Sequence, residues 1–238
     1  MIVYGINPVR EALRAGRVDR VMVLRGGEGD RLRAIVDLAR ERGVRVEEVE
    51  RNAIDRAARG GVHQGVVAIA EDARSLTIDE LVHGADVTPL IVVLDGVEDP
   101  QNVGAILRVA DAAGATGIVR QTRHAAPLDG AAAKASAGAV AHARIADVVN
   151  VARAVEELKA AHVWTVGLDA SATQAYDEID LRQPTAIVLG AEGAGLRRLV
   201  RERCDWLASI PMRGHVESLN VATAAAVVLF EAARQRKE

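Results

Sequence analysis

Five polar side chains of this 238-residue chain fall where an apolar, strand-like run gives way to a turn and a helical pattern: Asn102, Arg108, Glu192, Ser218 and Asn220. In open α/β sheets such strand–loop–helix junctions are where ligands bind. The set offers a guanidinium, a carboxylate, a hydroxyl and two amides, which suits hydrogen bonding and charge stabilisation around a bound substrate. Metal chemistry has little to work with. Cys204 is the single cysteine, a small core residue by type, and the six histidines lack ligand spacing. Helix capping is the plain structural alternative for Asn102 and Ser218.

Three stretches position these groups. Leu90–Asp95 reads as a strand, and Asn102 opens a helix on which residues 102, 105, 106 and 109 share a face while Arg108 points elsewhere. Thr185–Leu189 reads as a buried strand running into Gly190, Gly193 and Gly195, with a helix from about Leu196. Those glycines permit positive φ and close backbone approach. Their G-x-x-G-x-G spacing is neither the dinucleotide fingerprint nor a phosphate loop, and Glu192 would repel a pyrophosphate, which counts against a nucleotide-dependent oxidoreductase. Trp206–Ile210 reads as a strand stopped by Pro211, and Ser218 caps a long helix, Leu219–Arg236.

The three motifs, Asn-x-Gly-Ala-Ile-Leu-Arg (102–108), Leu-Gly-Ala-Glu-Gly-x-Gly (189–195) and Ile-Pro-Met (210–212) followed by Ser-Leu-Asn-Val-Ala (218–222), stand in the order and separation of the SpoU-type, SPOUT-class RNA ribose 2′-O-methyltransferases, which the chain resembles from about residue 88 onward. One departure is Ala222-Thr223, where that family more often has Ser-Val. The resemblance reaches the N-terminus for the branch that methylates a guanosine ribose in large-subunit (23S) ribosomal RNA. It implies S-adenosylmethionine as cofactor, with Leu189, Gly190, Ile210, Met212 and Leu219 forming its slot and Pro211 shaping it. It also implies a C-terminal trefoil knot. Asn102, Arg108, Glu192, Ser218 and Asn220 become the catalytic set. A guanidinium stays protonated in proteins, so Arg108 suits holding a phosphate and stabilising alkoxide charge better than acting as a base. Glu192 would fix Arg108 or Asn102, and Ser218 and Asn220 would position the loop and ribose. Transfer RNA as substrate, and a non-catalytic RNA-binding or assembly role, are the alternatives.

Length and composition agree with one or two α/β domains. Half the residues are apolar, no run suits a membrane span or signal peptide, and a soluble, cytoplasmic protein is expected. Net charge is −3, yet residues 1–59 carry 13 basic against 10 acidic groups, and 27 of the 30 basic residues are Arg, whose fork matches phosphate. Residues 1–72 read as a small α/β unit, with Asn7-Pro8 opening its first helix and Asn52 capping a short one. By resemblance it is a ribosomal-protein-like RNA-binding domain. The Val62-His-Gln-Gly stretch is typical of the branch, although a lone His63 is ordinarily structural. Residues 73–88 read as a linker. Residues 89–238 alternate strands and helices, as a parallel sheet covered on both faces does. Arg120, Arg123, His124, Lys134 and Ser136–Gly138 read as a loop and helix near RNA. The unbroken apolar run Ala224–Val228 covers more than one helix face, so a second copy of the chain is expected against it.

Overall fold

The structure, a computed structural model, describes every residue except Glu28, Ala73, His124 and Glu238. It divides into two compact units. The first comprises Met1–Ala73, Val103–Arg108 and Pro127–His142, and the second Arg74–Asn102, Val109–Ala126 and Ala143–Glu238.

The first unit opens with β1 (Ile2–Tyr4), α1 (Ile6–Arg14), β2 (Val18–Leu24), α2 (Asp30–Glu41), β3 (Arg45–Val49), α3 (Arg51–Ala57) and β4 (Val66–Ala70). Its four strands lie in the order β1-β4-β2-β3, with β4 antiparallel to both neighbours and β2 parallel to β3. Tyr4, Ile54, Ala58 and Val67 form a small core there. The first helix starts earlier than the Asn7-Pro8 pair suggests: Gly5 is its N-cap and Pro8 sits one turn in. A proline in the first turn costs nothing, because those N–H groups have no helical partner. Glu50, not Asn52, precedes α3.

In chain order there follow α4 (Ile78–His83), β5 (Leu90–Asp95), α5 (Pro100–Ala112), β6 (Gly117–Gln121), α6 (Gly130–Ala135, grouped with the first unit), β7 (Ile145–Val148), α7 (Val151–Ala160), β8 (Trp164–Leu168), β9 (Thr185–Gly190), α8 (Arg198–Arg203), β10 (Trp206–Ala208) and α9 (Val221–Gln235). The six strands of the second unit are all parallel, in the order β10-β8-β9-β5-β6-β7. Every residue of β5 is buried, and in β9 all but Gly190, as central parallel strands require. Helices α4, α7 and α8 supply Leu81, Val155, Leu158 and Val200 to the core that also takes Ile91, Val93 and Val188. Helix α9 packs on β9. Among the described residues no helix is long and apolar enough to cross a membrane.

The end of α9 is tied down by polar contacts. Arg236 donates to the carbonyls of Leu181, Thr88, Pro89 and Gln183, and Gln235 bonds Leu181 and Ile179.

Candidate active site

A cavity of about 420 Å3 opens at the carboxyl ends of β8, β9 and β10, the ligand edge of an open α/β sheet. Leu189, Gly190, Ile210, Met212 and Leu219 all line it, as do Glu192, Ser218 and Asn220. Its volume lies in the range of small-molecule sites.

The turn after β9 is built on Gly190. A Cβ there would meet the carbonyl carbon of Gly195 at 2.2 Å, because the loop folds back so that Ala191 and Gly195 exchange both backbone hydrogen bonds. Gly193 and Gly195 take positive φ within that loop. Arg197 then anchors it, donating its backbone N–H (2.8 Å) and Nε (2.6 Å) to Asp95, a wholly buried carboxylate at the end of β5.

A chain of amides connects the first and third motifs. Asn220, not Ser218, is the N-cap of α9: its Oδ1 accepts from Ala222 N–H at 2.9 Å and Thr223 N–H at 3.4 Å. Its Nδ2 therefore faces outward and donates to Asn102 Oδ1 at 2.9 Å. Asn102 in turn donates from Nδ2 to Glu192 at 3.1 Å. Asn102 is 8 % exposed and lies inside α5, whose N-cap is Asp99, accepting from Gln101 N–H. The capping roles read for Asn102 and Ser218 thus pass to Asp99 and Asn220. Of the two partners read for Glu192, Asn102 is the one it bonds. Arg108 lies on the exposed side of α5 and makes no hydrogen bond or ion pair among the described residues.

Sequence reasoning missed Asp169, which lines the cavity after β8. Its place after Leu168, at the end of a parallel strand, was the available signal. Burial opposes its ionisation, but hydrogen bonds from Ser171 and Arg201 outweigh that and hold its carboxyl below the ordinary range. Ser136 proves structural. Its buried hydroxyl donates to Ala133 and accepts from Gly138 and Val140 N–H groups. Lys134 and Arg123 are exposed, Arg120 is paired with Asp147, and His124 lies outside the described residues.

The walls suit S-adenosylmethionine. Apolar Leu189, Ile210, Met212 and Leu219 line the cavity beside Gly190, where a side chain would intrude on the neighbouring backbone. Residues 89–230 match the model of the SpoU rRNA Methylase family, and residues 2–76 that of the RNA 2′-O ribose methyltransferase substrate-binding domain. The chain belongs to the SpoU methylase family. It is 42 % identical to the 23S rRNA (guanosine-2′-O-)-methyltransferase RlmB of Haemophilus influenzae, covering 98 % of this chain and 97 % of that one. The Pseudomonas putida RlmB is also 42 % identical, over 99 % and 96 %. Among SpoU-family structures, AviRb from Streptomyces viridochromogenes in complex with AdoMet superposes with a TM-score of 0.83 at 28 % identity, covering 99 % of this chain and 90 % of that one. The AdoMet-bound rRNA methyltransferase from Sinorhizobium meliloti gives 0.81 at 30 %, covering 98 % and 86 %.

Proposed function

We propose that this chain methylates the ribose 2′-hydroxyl of a guanosine in 23S ribosomal RNA. Near-full-length identity with the RlmB enzymes carries the reading, and the cavity with its glycine turn supports it. When bound, S-adenosylmethionine supplies the electrophilic methyl group. Leu189, Gly190, Ile210, Met212 and Leu219 bind it. The Asn220–Asn102–Glu192 chain holds the first and third motifs in register, so the ribose is presented in one orientation. Ser218 lines the same cavity and orients the ribose. Arg108, an unpaired cation among the described residues, holds the adjoining phosphate and stabilises the negative charge that develops on the 2′-oxygen as it attacks the methyl group and its proton passes to water.

Residues 1–72 form the RNA-binding domain and 89–238 the methyltransferase domain, whose C-terminal part is threaded as a trefoil knot. The segment 73–88 between them is more than a linker, since its α4 packs Ile78, Leu81 and Val82 into the core of the second unit. The active form is a cytoplasmic homodimer. Ala226, Val227 and half-exposed Phe230 supply an apolar strip on α9 for the second copy.

Incubation with labelled S-adenosylmethionine and 23S RNA transcripts, followed by mapping of ribose methylation, tests the reading. Label on a guanosine 2′-oxygen is expected. Methylation confined to transfer RNA would reassign the substrate, and no transfer to any RNA would end the proposal.

A further inference from the structure

Strands β1, β2 and β3 run parallel, so their carboxyl ends and the starts of α1, α2 and α3 share one edge of the four-stranded sheet. That edge holds a second cavity, of about 890 Å3. Nothing in the methyl-transfer chemistry uses it.

Its lining is rich in donors. Arg31 and Arg51 both face it, both are exposed, and neither has a hydrogen bond or ion pair among the described residues. Gln64 holds a positive φ of 54°, unusual for a residue with a side chain. Its Oε1 accepts from Ile6 N–H at 3.1 Å, which fixes the amide with both Nε2 hydrogens left to donate.

Among the described residues of the same rim, His63 and Asp55 are engaged with each other, and Asp30, fully exposed, has Arg33 3.8 Å away. His63 accepts from Gly65 N–H at Nδ1 (3.0 Å), so its proton sits on Nε2 and goes to Asp55 at 2.8 Å. The floor cannot thicken, because a Cβ on Gly27 would lie 2.8 Å from the Leu32 side chain and 2.9 Å from the Leu24 carbonyl. Val62, 66 % exposed, offers an apolar surface in the same loop.

A concave, donor-lined site with an apolar lip suits a ligand with a phosphate, an acceptor edge and a flat face. RNA offers these together in a nucleotide that is not base-paired, where the base can be splayed out and read. We propose that this crevice binds one unpaired nucleotide of the RNA substrate. The phosphate lies on Arg31 and Arg51, the base's acceptor edge on Gln64 Nε2, and its face against Val62. This rests on the reading of the chain as an RNA methyltransferase.

The test is fluorescence anisotropy of the full chain with a short labelled single-stranded RNA of mixed sequence, over a range of salt. In one variant both Arg31→Gln and Arg51→Gln are made. In the other, Gln64→Glu keeps an oxygen for Ile6 N–H and removes the donors. Calorimetry with S-adenosylmethionine and a thermal melt check that each variant is folded. The double variant should bind about tenfold more weakly and flatten the log–log salt slope by about 0.7, the worth of the one single-strand phosphate the two arginines share. The Gln64→Glu deficit should persist at high salt. A deficit that disappears there is charge repulsion and removes Gln64 from the site. Wild-type affinity in both folded variants, with the wild type still methylating RNA, overturns the crevice alone. Loss of binding in both, with no methylation of any RNA by the wild type, overturns the methyltransferase reading and leaves the crevice standing.

Discussion

The side-chain amides of Asn102 and Asn220, 118 positions apart, meet head to tail at 2.9 Å. Their orientation is forced. Backbone N–H groups of α9 claim Asn220 Oδ1, so the contact must run from Asn220 Nδ2 to Asn102 Oδ1, leaving Asn102 Nδ2 for Glu192. One residue therefore both caps a helix and holds two motifs together.

These two jobs separate by mutation. Asn220→Ala should lose about 1 kcal/mol of stability along with methyl transfer, since it removes the cap. Asn220→Ser keeps a capping oxygen but is too short to reach Asn102. Denaturant melts should show it near wild-type stability while methyl transfer remains low. Full activity in Asn220→Ser would mean the amide contact is dispensable.

Gly190→Ala should abolish S-adenosylmethionine binding, because its Cβ would collide with the Gly195 backbone. Gly193→Ala meets open space and bears only the strain of a positive φ, costing about 1 kcal/mol. Titration calorimetry should separate the two. Equal cofactor affinity in both would show that the loop relaxes freely.

Asp205 gives a pH-dependent signature. It accepts from the Thr165 N–H and hydroxyl and pairs with Lys159 at 2.8 Å. Burial pushes its carboxyl pKa up, but the Lys159 and Thr165 contacts win and hold it below the ordinary value. A depressed folded-state pKa stabilises above the unfolded value and loses that contribution as pH falls through the folded one. Asp205→Asn should thus cost about 2 kcal/mol near neutral pH. Thermal melts should show the gap to wild type closing below about pH 4, the ordinary aspartate range. A gap of constant size down to strong acid would assign the effect to packing.

The proposed homodimer makes a mixing prediction. Arg108→Ala and Asn220→Ser subunits, each inactive alone, should recover part of the activity after exchange if an active site draws on both copies. A monomer by light scattering, or no recovery after confirmed exchange, would reject shared sites.

The central strands were legible because Leu90–Leu94 and Ala186–Leu189 are unbroken apolar runs, which only a doubly covered strand needs. The edge strands β1 and β7 were not. Ile2–Tyr4 has only three residues, and Ile145–Val148 carries Asp147, which pairs with Arg120 on β6. Motif residues were legible by type and by resemblance, and Asn102 was one of the two partners read for Glu192, but which residue caps each helix was not legible. Asp99 and Asn102, or Ser218 and Asn220, are equally good caps by type. The Asn102–Glu192 bond, 90 positions apart, decides nothing until the sheet brings its ends together.

Arg236 grips four carbonyls from the two segments that lead into β5 and β9, the central strands. A helix end ordinarily frays a residue at a time. This one comes free only after all four bonds of a single side chain are lost, so it acts as a latch and not a zipper. Tension applied beyond it passes straight into the middle of the sheet, instead of peeling α9 away turn by turn.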